Sequence, residues 1–146
     1  MGARLLCEGE DAQKENVMKE FQTIEIHPSP HLLTDSGLLY FRLGNYPLAI
    51  ERFTKALEIS NNKVRLYRYL GEANWRIRNY KGMARWNRKI VACFPNDIGG
   101  WQNLATAYKA LGQKKQFTQA TRHIDSINNR NVSSKESERI VSKFID

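Results

Sequence analysis

Residues 98–113 read IGGWQNLATAYKALGQ, and their spacing of bulky and small side chains recurs 34 and 68 residues earlier in the 146-residue chain. Trp101 falls in register with Tyr67 and Leu33, Ala105 with Gly71 and Gly37, and Leu111 with Ile77 and Leu43. Gly112 and Gly44 lie two periods apart with Arg78 midway, and Tyr108 and Tyr40 flank Asn74 in the same way. Tyr46 matches Tyr80, and Asn61, Pro95 and Asn129 close the three units. A fixed period of this length marks stacked helical units that bury their apolar faces against one another.

Each unit reads as a pair of helices. Leu32, Leu33, Leu39, Tyr40 and Leu43 form a broad apolar face, which Gly44-Asn45 terminates. Pro47 then opens a second helix, where its missing N–H is harmless. Along that helix Ala49, Ile50, Phe53, Ala56, Leu57 and Ser60 step by three and four. Residues 64–77 with 80–93, and 98–111 with 114–127, repeat the pair. Glycine inside a helix costs about 1 kcal/mol against alanine, so Gly37 and Gly71 at one repeat position indicate close helix approach.

Trp101-x2-Leu104-Ala105-x2-Tyr108 with Gly112, and Leu33-x3-Gly37-x2-Tyr40-x3-Gly44 continuing to Ala49, Phe53 and Ala56, resemble the tetratricopeptide repeat family. The middle unit keeps Tyr67, Leu70, Gly71, Tyr80 and Pro95 but departs at Asn74, Arg78, Met83 and Asn87. The third departs at Phe117 and Thr121. The resemblance covers residues 30–129 and implies an all-α, right-handed superhelical solenoid of three hairpins, in the register 30–63, 64–97 and 98–131. Residues 1–29 are expected to supply one capping helix, with Val17, Met18, Phe21 and Ile24 on its apolar face. Ser133-x-x-Glu136 resembles a capping box opening a C-terminal capping helix over 132–146, after a turn at 128–132. Eight helices are expected in all.

The formal net charge of +8 is concentrated. Residues 63–95 carry nine Lys and Arg against Glu72 alone, a net +8, whereas residues 1–29 carry three against six, a net −3. The resemblance implies that first helices line a concave groove, with inward positions His31, Thr34, Leu38 and Phe41, then Arg65, Arg68, Glu72 and Trp75, then Gln102, Thr106 and Lys109. Such a surface suits an acidic, partly apolar partner, because arginine forks onto carboxylates and aromatics anchor. Arg78, Lys81, Arg85, Arg88 and Lys89 are assigned to the convex side, where a plain solvated helix face is the simplest alternative. Thr34 and Leu38 occupy the positions at which the family's carboxylate-clamp members carry Lys and Asn, which argues against chaperone-tail binding of that type.

No phosphate loop, HExxH or GxSxG signature occurs, and no enzyme activity, cofactor or metal is expected. His27 and His31 flank Pro28-Ser29-Pro30 without a third ligand, which reads as a surface turn, and His123 has no evident partner. Asp35 and Asp97 read as helix starters. Cys7 and Cys93 form neither a disulfide framework nor a metal spacing, there is no secretory signal, and the N-terminus lacks the acylation motif at Leu6, so a cytoplasmic setting is expected. The expected function is protein–protein interaction, as adaptor, chaperone or assembly factor. The alternatives are nucleic-acid binding through the block at 63–95, or service as a fixed subunit of a larger complex.

Overall fold

The computed structural model describes residues 29–145, and among them it contains six helices and no strand. They are α1 (Pro30–Arg42), α2 (Tyr46–Ile59), α3 (Lys63–Arg76), α4 (Tyr80–Cys93), α5 (Ile98–Ala110) and α6 (Lys114–Ile145). The N-terminal capping helix expected before residue 29 lies outside the described residues. The chain divides into two compact units, with the boundary between Asn61 and Asn62. The first contains the α1–α2 hairpin. In the second, α3 pairs with α4, α4 with α5, and α5 with α6.

Side chains at the helix starts explain where four of the six helices begin. Ser29, Asn45, Asn79 and Asp97 each accept a hydrogen bond from the backbone N–H three residues on, satisfying a donor that has no intrahelical partner. Asp97 is thus a helix starter as expected. Asp35 is not: it lies within α1, which Ser29 caps from before Pro30.

The first helix of every hairpin ends in the same way. The amides of Asn45, Asn79 and Gln113 donate to the carbonyls of Tyr40, Asn74 and Tyr108, and those of Gly44, Arg78 and Gly112 donate to Phe41, Trp75 and Lys109. These paired bonds satisfy the last carbonyls and require a left-handed residue between them. Gly44 has φ +76°, Gly112 has φ +69°, and Arg78 is held at φ +57° in the middle hairpin.

Small residues set the distance between paired helices. A Cβ on Gly37 would lie 2.5 Å from Cε1 of Phe53, whose side chain is fully buried between α1 and α2. The same repeat position in the second unit pairs Gly71 with Asn87, where a Cβ would lie 2.9 Å from Nδ2. Asn87 is buried: its Nδ2 donates to the Met83 carbonyl (2.9 Å) and its Oδ1 accepts from Asn103 of α5 (3.1 Å). Asn74 is buried as well, donating to the Leu70 carbonyl and accepting from the helix-starting Asn79 at 2.9 Å. Two of the middle unit's departures from the repeat pattern, Asn74 and Asn87, are therefore polar groups satisfied within the fold. The core of the second unit joins Met83, Ala84 and Val91 to Leu104, Ala107, Tyr108 and Ala120, with Trp101 and Phe117 packed against it.

The C-terminal end differs from expectation. Residues 128–132 are helical, and α6 runs unbroken from Lys114 to Ile145, so the segment expected as a separate capping helix is its continuation. Nothing between these residues is Gly or Pro, and asparagine is only mildly unfavourable in a helix. Ser133 serves as an ordinary helical residue whose carbonyl accepts from the Ser137 hydroxyl.

Candidate interaction surface on the second unit

One stripe of α3 carries Arg65, Arg68, Tyr69, Glu72, Trp75 and Arg76, spaced three and four apart so that they share a helix face. Leu66, Leu70, Ala73 and Asn74 occupy the opposite, buried face. The stripe is built from contacts among its own members. Arg65 Nε donates to the Tyr69 hydroxyl at 2.9 Å, and its guanidinium carbon lies 5.7 Å from the centre of that ring. Arg76 pairs with Glu72 at 3.1 Å and places its guanidinium 5.1 Å from the centre of the Trp75 ring. Trp75 itself stays 42% exposed.

Arg68 has a structural task. It bonds to the carboxylate of Asp97, 29 positions on, tying α3 to the start of α5. Partial burial pushes the Asp97 pKa up, but the Arg68 hydrogen bond, the Gly100 amide, the Arg68 charge and the Gly99 amide outweigh it. The carboxyl is therefore held below its ordinary value of 3.8. A cleft of about 470 Å³ opens beside this pair, lined by Arg68, Cys93, Phe94, Pro95, Asn96 and Asp97. On α5, Gln102, Thr106 and Lys109 are exposed, and the Thr106 hydroxyl is turned back onto the Gln102 carbonyl.

The first-unit positions have local roles. His31 is exposed, Thr34 donates to the Pro30 carbonyl, Leu38 is half-buried, and the half-buried Phe41 packs edge-on against Tyr46 of its own hairpin at 5.2 Å. The basic residues Lys81, Arg85, Arg88 and Lys89 all lie exposed on α4, with Arg78 exposed in the turn before it. Trp86 is almost fully buried and stacks on Tyr67 at 5.7 Å.

Two contacts escape sequence reasoning. His123 stacks flat on Trp101, with ring centres 4.1 Å apart, and the Trp101 indole N–H donates to the Pro95 carbonyl. Arg130 reaches Asn96 at 3.2 Å, fastening α6 to the α4–α5 turn. His123 meets Trp101 within the α5–α6 hairpin, whereas Arg130 reaches back 34 positions to the turn before α5.

Among the described residues no group of three or more His, Cys, Asp or Glu could hold a metal ion, and no helix is long and apolar enough to cross a membrane.

Comparison with known proteins follows the same lines. A family model described as TPR repeat matches residues 37–77. Among solved structures, MamA superposes with a TM-score of 0.64 at 20% identity, over 74% of this chain and 64% of that one. The first TPR of Spaghetti (RPAP3), bound to the HSP90 peptide SRMEEVD, gives 0.59 at 18% identity, over 80% and 92%. The TPR2B domain of yeast Sti1, in a complex with pHsp70, gives 0.58 at 17% identity, over 78% and 94%. This chain therefore spans less than two thirds of the MamA chain. No curated protein sequence matches significantly.

Proposed function

We propose that this chain, whose residues 37–77 match a TPR repeat model, is a non-catalytic interaction module of the adaptor, chaperone or assembly-factor kind, binding an acidic, partly apolar segment of a partner protein. The face used is the exposed stripe of α3, with Gln102, Thr106 and Lys109 of α5 extending it. The observation that carries this is Trp75, which is 42% exposed with an arginine over its ring and an Arg65–Tyr69 pair further along the same face. Tryptophan, tyrosine and arginine are the residues that concentrate binding energy at interfaces. Arginine already resting on an aromatic ring loses less side-chain freedom when it pairs with a carboxylate. Two of the similar folds hold chaperone-derived ligands, an HSP90 peptide and pHsp70. Here Thr34 and Leu38 replace the Lys and Asn of the carboxylate clamp, so the segment is expected to bind along its length rather than by a C-terminal carboxylate.

The experiment is selection from a random peptide display library against the full chain. The selected peptides are expected to be acidic with at least one aromatic residue, and to lose binding to an Arg65→Glu, Trp75→Ala variant. Arg68 is left intact because its loss would disturb the α5 start. Peptides without acidic enrichment, or peptides that bind the variant equally well, would exclude this surface.

A further inference from the structure

A second surface lies on α4 and differs in kind from the α3 stripe. Six residues of α4 are exposed: Lys81, Arg85, Arg88, Lys89, Ala92 and Cys93. Four are cations and the other two are small, and all follow one helical face. Among the described residues the ion pairs of the second unit, Arg68–Asp97 and Arg76–Glu72, do not involve these four cations, and α4 contains no carboxylate. Two of them are held in place. Lys89 Nζ lies 5.5 Å from the centres of both the Tyr67 and Trp86 rings, and the Arg85 guanidinium carbon lies 5.0 Å from Trp86.

Those rings are a platform for the cations rather than a ligand contact, since Trp86 is only 9% exposed and the half-buried Tyr67 lies under the Lys89 ammonium. A protein partner would need an apolar or aromatic anchor in this face, which it does not offer. Base stacking would need an accessible ring, which it does not offer either. A row of cations with no carboxylate partner among the described residues, two of them pre-positioned and none beside an anchor, suits a ligand whose affinity comes from regularly spaced negative charge. We propose that this face of α4 binds the phosphodiester backbone of a nucleic acid, without sequence preference, through Lys81, Arg85, Arg88 and Lys89. The affinity then arises from release of the counterions those phosphates hold.

The test is fluorescence anisotropy of a labelled single-stranded RNA of mixed sequence with the full chain, read across a salt series. Four phosphate contacts predict a slope of log affinity on log salt of about −3, or roughly a 50-fold loss between about 50 and 200 mM salt. Changing Lys81, Arg85, Arg88 and Lys89 to Gln together is expected to weaken binding at least about 10-fold and flatten that slope. Changing Lys114, Lys115, Arg122 and Lys135 to Gln removes the same charge elsewhere and is expected to leave both nearly unchanged. The Arg85 and Lys89 changes uncover the Trp86 platform, so a Lys81→Gln, Arg88→Gln double variant gives the same reading without touching it. It is expected to lose about half of the slope. The proposal is overturned by absence of RNA binding at low salt, by a flat salt response, by equal weakening in the two fourfold variants, or by an unchanged slope in the double variant. Binding to phosphatidylserine vesicles but not to RNA would equally overturn it, assigning the face to a lipid surface. An Arg65→Glu, Trp75→Ala variant should retain RNA binding, so the two surfaces stand or fall separately.

Discussion

Gly37→Ala probes the close approach on which the first hairpin depends. The added Cβ would meet Phe53 at 2.5, 2.7 and 3.1 Å, on Cε1, Cδ1 and Cζ. Ordinary carbon contacts are about 3.5–4.0 Å, so ring or helix must move by about 1 Å. Phe53 has no exposed surface into which it could retreat. Overpacking of this kind costs about 1–3 kcal/mol, whereas alanine's better helix propensity returns about 1 kcal/mol. The net expectation is a loss of up to about 2 kcal/mol, or a fall in Tm of a few degrees for a chain of this size. Urea denaturation followed by circular dichroism measures it. Phe53→Leu should be destabilising alone, yet Gly37→Ala should cost less on that background than on the wild type, giving a coupling of about 1 kcal/mol. A Gly37→Ala variant more stable than wild type, or one whose effect is unchanged by Phe53→Leu, would refute the packing argument.

Three further perturbations follow from the same contacts. Arg78→Gly should stabilise the chain by about 0.5–1 kcal/mol, since arginine in the left-handed region costs about 1–2 kcal/mol and glycine's freedom in the unfolded chain offsets part of the gain; thermal unfolding reads it directly. Asn87→Ala should destabilise by about 2 kcal/mol by removing a buried side-chain hydrogen bond and opening space beside Gly71, while the Met83 carbonyl keeps its helical bond and exposed Asn103 can turn to water. Asp97→Asn keeps the helix cap and removes the charge that pairs with Arg68. Because the folded-state pKa of Asp97 lies below 3.8, its contribution is present above the unfolded value and is lost as pH falls through the folded one. The stability gap between wild type and Asp97→Asn should therefore be steady at neutral pH and close below about pH 4 in a pH series of urea melts.

The hairpins were legible because the 34-residue register, the Gly44 and Gly112 stops and the capping residues are local signals. The same register held information that local rules passed over. Arg78 stands where two glycines stand, so its left-handed backbone is written in the alignment even though arginine alone suggests nothing of the kind. Asn74 and Asn87 look like defects in the repeat until their partners Asn79 and Asn103 are placed beside them. The run NNRNV at 128–132 reads as a turn between two helices, but without Gly or Pro it does not break a helix already under way. For the candidate surface, spacing identified which residues share a face of α3. It could not show that Arg68 is committed to Asp97, because that pair closes across 29 positions and depends on how α5 packs. Charge counting located the basic block at 63–95. Only the burial of Trp86 and the ring contacts of Arg85 and Lys89 distinguish the α4 face from a general excess of charge.

The proposed interaction role is tested most directly by mapping amide and indole NMR shifts of the full chain as an acidic, aromatic-containing selected peptide is added. Perturbations concentrated at Arg65, Tyr69, Glu72 and Trp75, including the Trp75 indole, with weaker ones at Gln102, Thr106 and Lys109, are the predicted result. Perturbations confined to residues 81–89 of α4, or to α6, would contradict it.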